Sequence, residues 1–127
     1  MAEKGGVIGL TGWAAISMVK QGVRPNLEDF MDFVDYVVKL VGVNHVAFGL
    51  DLVPGWEYDS SDYDEWAKQF PSLAPPNFGE RHTEGLEKIE DVKNVARGLV
   101  ARGYGDGDIS KILGGNFLNL LRKVWRK

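Results

Sequence analysis

The chain has 127 residues, 44% hydrophobic and 26% charged, with a net charge of −3 and a pI near 5.3. That balance describes one globular domain over 1–127 and argues against a nucleic-acid protein, which carries a basic face. There is no cysteine, so disulfides, thiol catalysis and thiolate metal sites are excluded, and no apolar run reaches the roughly 20 residues a membrane helix needs.

Met1 to Gly6 lacks the basic and apolar regions of a signal peptide and the carboxyl terminus ends in charge, so the expected location is the cytoplasm. Ala2 to Lys4 reads as the end of a helix stopped by Gly5-Gly6. Val7-Ile8-Gly9-Leu10-Thr11 is a compact apolar run, expected as a buried strand. Gly12-Trp13-Ala14-Ala15 leaves that strand. Trp13 there suits either a pocket wall or simple packing beneath a loop.

Pro25-Asn26 opens a helix, with Asn26 as cap and Glu28 and Asp29 in the electropositive first turn. Leu27, Phe30, Met31, Val34, Val37, Val38 and Val41 form one apolar stripe, Lys39 suits the last turn, and Gly42 stops the helix. His45 to Asp51 then reads as a second strand, in which Val46, Phe48 and Leu50 alternate with small or polar residues. The order from Val7 to Asp51 is a βαβ unit, whose strands are expected side by side and parallel. In a parallel barrel the small face turns inward and Asp51 falls at the strand's carboxyl end, the rim where barrel enzymes place their chemistry. An Asp that opens a turn before Pro54-Gly55 accounts for the same residue.

Leu52 to Lys88 is irregular, rich in aromatic residues and in the carboxylates Glu57, Asp59, Asp62, Asp64 and Glu65. Asp62 to Gln69 is expected to make one or two helical turns. The segment suits a lid over the strand ends, or a solvated acidic loop with its aromatics packed beneath. Further on, Val92, Val95, Ala96, Leu99 and Val100 make a helical stripe that ends at Gly103. Ile109, Ile112 and Leu113 start a short helix closed by Gly114-Gly115. Asn116 is expected to cap a last helix with Phe117, Leu120, Leu121 and Val124 facing inward. Arg122, Lys123, Arg126 and Lys127 complement that helix's carboxyl end.

No complete catalytic set stands in the chain. There are two histidines: His45 begins the second strand, at the end opposite the rim, and is expected to be structural. His82 lies in the loop and is expected to be solvated. No His-x-Asp, His-Glu-x-x-His, Gly-x-Ser-x-Gly, dinucleotide or phosphate-loop motif occurs. Asp51 is the one well-placed carboxylate, and no metal ligand is assigned.

Lys4-Gly5-Gly6-Val7-Ile8-Gly9-Leu10-Thr11-Gly12-Trp13, the helix ending Asp35-Tyr36-Val37-Val38-Lys39-Leu40-Val41-Gly42, and Asn44-His45-Val46-Ala47-Phe48-Gly49-Leu50-Asp51 resemble the carboxyl-terminal third of the membrane (renal-type) dipeptidases. So does Arg102-Gly103-Tyr104 with Ile112-Leu113-Gly114-Gly115-Asn116-Phe117. The resemblance implies an α/β fold, the last two parallel βα units of a TIM-type (β/α)8 barrel plus carboxyl-terminal helices. It implies a zinc-dependent hydrolase of dipeptides in the complete protein, with Asp51 handling the proton of the attacking water. The family's zinc ligands lie upstream of anything matched here, so the chain alone is expected to hold no zinc and to be inactive. Leu52-Val53-Pro54-Gly55 replaces the Phe-Asp-Gly of many members, removing a second carboxylate. With two strands of a barrel that takes about 250 residues, the chain is expected to self-associate, to pair with a missing amino-terminal half, or to refold its loop over the sheet. An alternative is a non-catalytic binding or assembly module that uses the Trp56–Phe70 loop. A third reading is a small autonomous hydrolase with metal on Asp51, His82 and loop carboxylates.

Overall fold

The computed structural model describes residues 1–17, 22–52, 60–74 and 78–125, at 60–62 the backbone alone. The expected turn at Pro54-Gly55 and the charged end at Arg126-Lys127 therefore lie outside the described residues, as does the whole of 53–59. A 3-10 turn at Ala2–Lys4 ends on Gly5, whose φ of 74° is left-handed. Strand β1 (Ile8–Leu10) and strand β2 (Val46–Phe48) pair in parallel, with Ile8 opposite Val46, Gly9 opposite Ala47 and Leu10 opposite Phe48. The expected βαβ pairing is present, with shorter strands than the sequence pattern suggests. His45 enters the sheet through a 3-10 turn, its Nδ1 2.8 Å from the Gly6 carbonyl, so it is structural as expected. Beyond Phe48 the pairing continues only through the Gly49 N–H to the Leu10 carbonyl, 2.9 Å.

A short helix α1 (Ala14–Ser17) follows β1, and α2 (Leu27–Val41) makes the crossover. Asn26 and Asp29 close a reciprocal capping box at the start of α2: the Asn26 side chain accepts from the Asp29 N–H at 3.0 Å, and the Asp29 carboxylate accepts from the Asn26 N–H at 2.9 Å. The stripe on α2 buries Phe30, Met31, Val34 and Val37 against Val46 and Leu10 of the sheet. Phe30 meets Phe48 with ring centroids 5.8 Å apart. Helix α3 (Ser60–Gln69) is somewhat longer than the one or two turns expected. Helix α4 (Val92–Ala101) buries Val95 and Leu99 on α2, and Gly98 lets the two approach, since a Cβ there would lie 2.8 Å from the Met31 Sδ. Val100 is exposed, off the stripe to which its spacing assigned it, because it stands one position past Leu99 on the helix's outer side.

The junction Gly114-Gly115-Asn116 departs from expectation only at Asn116. Helix α5 (Asp106–Ser110) leads into a wide turn, Lys111–Gly115, kinked at Gly114, whose φ of 162° and ψ of −19° are not helical, so the glycines break the helix before α6 (Asn116–Val124). Asn116 does not cap α6: its backbone is helical, and its Nδ2 donates to the carbonyls of Val46 at 2.7 Å and Val43 at 2.8 Å. Because Gly49 turns its N–H toward β1, alternation turns Val46 the other way, so Asn116 satisfies the far edge of β2. Phe117 reaches the small-residue face of the sheet, within 3.2 Å of where a Cβ on Gly9 would stand. Val124 is exposed, which corrects its placement on the inner stripe; α6 has frayed to its last turn there. No helix among the described residues is long and apolar enough to cross a membrane.

Candidate active site

Both strands send their carboxyl ends to one rim. There Thr11, just past β1, and Gly49 and Asp51, just past β2, line a cleft of about 640 Å³. Asp51 is exposed, and its φ of 61° makes it the one non-glycine residue with positive φ among those described. Aspartate tolerates that region better than most residues, and a backbone held there re-aims the side chain as the strand ends. The five ion pairs among the described residues all lie elsewhere.

The loop after β1 supplies the first wall. Thr11 Oγ1 accepts from the Trp13 N–H at 3.1 Å, and the Trp13 Nε1–H donates to the Leu73 carbonyl at 2.8 Å. These bonds fix the indole, which both packs and lines the cleft, so the two readings of Trp13 hold together. Helix α3 supplies the second wall with Tyr63 and Trp66. Trp13 and Trp66 meet edge to face at 5.7 Å, and Tyr63 meets Phe78 at 5.1 Å. Burial, then the nearby Asp64, pushes the Tyr63 hydroxyl's pKa up, so it stays a neutral donor. Of the expected loop, the described part thus covers the strand ends.

A strap at residues 81–86 closes the back. The Ala14 N–H donates to the Arg81 carbonyl at 2.8 Å, the Thr83 N–H to the Gly12 carbonyl at 2.8 Å, and the Glu84 N–H to the Pro25 carbonyl at 2.9 Å. Thr83 is wholly buried, with its hydroxyl 3.1 Å from the Gly12 carbonyl and 3.0 Å from the Ser17 hydroxyl. Arg24 holds the strap from outside, through Nε to the His82 carbonyl at 2.9 Å and an ion pair with Glu87 at 2.7 Å.

His82 corrects the expectation of a solvated loop histidine. It is 5% exposed, its ring stands edge to face with Trp13 at 5.7 Å, and its Nδ1 has no hydrogen-bond partner. Burial foremost, then Arg81, lowers its pKa, against smaller opposing contributions from Asp51 and Glu87. The strap's backbone ladder carries the ring inward. Nothing in the sequence around His82 alternates or repeats to signal this.

Among the described residues no three His, Cys, Asp or Glu side chains gather where they could hold an ion. Asp51 and His82 are not joined by further ligands there, and the carboxylates of Glu57, Asp59 and Asp62 lie outside the described residues. The sequence had flagged the aromatic loop but not Tyr63, Trp66 and Phe78 individually as walls of one cleft with Asp51.

No family model matches the sequence, and no curated protein matches it. Among solved structures, an amidohydrolase from Pseudomonas aeruginosa superposes with a TM-score of 0.76 at 28% identity. The alignment covers 98% of this chain and 38% of that one, so this chain spans well under half of its length. The chain has an amidohydrolase-like fold.

Proposed function

We propose that this amidohydrolase-like chain is the carboxyl-terminal portion of a membrane-dipeptidase-type zinc peptidase, with Asp51 as its proton-transferring group. The observation that carries the reading is Asp51 itself, turned by a positive φ at the end of β2 into a walled cleft. In dipeptide hydrolysis water adds to the carbonyl carbon and the C–N bond breaks. Asp51 takes a proton from that water and passes it to the departing amine nitrogen. The aromatic walls exclude bulk water from the reacting bond.

Zinc, in the complete enzyme, would supply Lewis-acid activation of the water. Among the described residues the donors do not gather as the ion requires: His45 is bonded to Gly6 at the far end of the sheet, His82 is buried on the strap, and Asp51 stands without a second ligand. On this reading the zinc-holding side chains belong to the remainder of the barrel. β1 offers that remainder a place to join, since Ile8 and Gly9 are exposed on a parallel strand, a type ordinarily covered on both faces. On this reading the chain alone does not cleave dipeptides. It self-associates or pairs with the missing amino-terminal part.

The test assays purified chain for dipeptide hydrolysis with added Zn²⁺, alone and mixed with the upstream part of a related amidohydrolase. Activity that appears only in the mixture and is lost with Asp51→Asn is the expected result. Activity of the unmixed chain, or of a mixture indifferent to Asp51→Asn, overturns it. A second reading, a non-catalytic binding module, draws on the cleft, which this chain builds without any other.

A further inference from the structure

We propose that the cleft is a receptor for an organic cation of the alkylammonium class, its nitrogen toward Asp51 and its carbon substituents among Trp13, Tyr63, Trp66 and Phe78. The inference goes beyond the hydrolytic reading and needs neither a metal nor a second chain.

Charge decides the class of ligand. Asp51 is the only charged side chain among the described residues that line the cleft. An anion placed there would meet that carboxylate, with only the lining hydroxyls of Thr11 and Tyr63 to set against it. A cation meets the carboxylate on one side and aromatic rings on the others. Each ring carries negative charge over its face, which attracts an ammonium by about 0.5–2 kcal/mol, more as water is removed. A wholly apolar ligand would gain the walls but would desolvate Asp51 without compensation.

The walls are set in advance. Trp13 is tied to Leu73, Trp66 rests on both Trp13 and Phe70, and Tyr63 packs on Phe78. Little ordering cost is left for the ligand to meet. One ring of this group already serves a cation: the Arg81 guanidinium lies 3.8 Å over the centre of Phe78 while donating to its carbonyl at 3.0 Å. Arg81 repels a second cation at that end, which leaves the Asp51 end as the seat for the nitrogen. A volume of about 640 Å³ admits an ammonium with several carbon substituents.

The experiment titrates the whole chain with choline and with 3,3-dimethylbutan-1-ol, its uncharged carbon isostere, following tryptophan fluorescence and the Trp13 indole N–H resonance. Choline is expected to saturate about tenfold more tightly than the alcohol, a ratio of the size a cation–π and carboxylate seat gives. Asp51→Asn, which keeps the backbone's tolerance of positive φ, is expected to bring the two ligands level, and Trp66→Leu to weaken both. The comparison in the unaltered chain needs no variant to fold. Equal binding of choline and the alcohol overturns the proposal, as do saturation by neither and a preference for choline that survives Asp51→Asn. Because the readout is binding by this chain alone, its failure is visible separately from any failure of the peptidase reading.

Discussion

The amide of Asn116 and the carbonyl of Val46 meet at 2.7 Å, on the side of β2 that faces away from β1. With its second bond to Val43 this single side chain satisfies backbone that a third strand or water would otherwise have to reach. Replacing it by leucine keeps the bulk and leaves two carbonyls without a donor. Asn116→Leu is expected to cost about 2–4 kcal/mol in urea unfolding. Asn116→Asp is expected to cost more, since a carboxylate would face both carbonyls.

Arg102 joins the start of α2 to the end of α4. It reaches Asp35 and Asp32 at 2.6 Å each and Glu28 at 2.8 Å, but Glu28 and Asp32 are largely exposed while Asp35 is three-quarters covered. Solvent therefore screens two of the three pairs. Double-mutant cycles are expected to give over about 1 kcal/mol for Arg102 with Asp35 and under about 0.5 kcal/mol for Arg102 with Glu28.

The same cluster sets an acid limit. Burial works to raise the Asp35 pKa, but the Tyr104 hydroxyl at 2.7 Å and Arg102 outweigh it and hold the value below 3.8. A carboxylate depressed in the fold contributes stability that is whole above its unfolded value and lost as pH falls through the folded one. In Arg102→Met the loss is expected to begin at higher pH. Acid titration of the far-ultraviolet dichroism of both proteins checks this.

His82 has its own signature. Its folded pKa lies below 6.5, so near that value the unfolded chain binds a proton that the folded chain refuses. Stability from this group is full above pH 6.5 and falls as pH drops toward the folded pKa, by at most about 1.4 kcal/mol per pH unit. His82→Leu is expected to flatten the profile below pH 6.5, measured by urea midpoints at each pH. Since Nδ1 holds no partner, the substitution sacrifices no hydrogen bond there.

The βαβ unit was legible because its signals are local: a capping box of Asn26 and Asp29, a stripe of seven apolar positions, and an alternating run that ends on Asp51. The rim position of Asp51 followed from that parity alone. What escaped the sequence depends on contacts between distant residues. Asn116 after the glycine break reads as a cap in isolation, and only β2's uncovered edge makes it an edge donor. His82 and Thr83 sit in a segment with no period, so nothing forecast a strap whose backbone pairs with the loop after β1. Val100 and Val124 were drawn into stripes by hydrophobicity, although Val100 stands past Leu99 on the outer side of α4 and Val124 lies in the last turn of α6.

The bond from Thr83 to Gly12 spans 71 positions, and the one from Thr83 to Ser17 spans 66. Closing so large a circuit loses chain entropy before any contact rewards it, whereas α2 nucleates on its own cap. The back wall of the cleft is accordingly expected to join the fold after α2 and the sheet, and releasing residues 81–86 costs less than any excursion of the core beneath them.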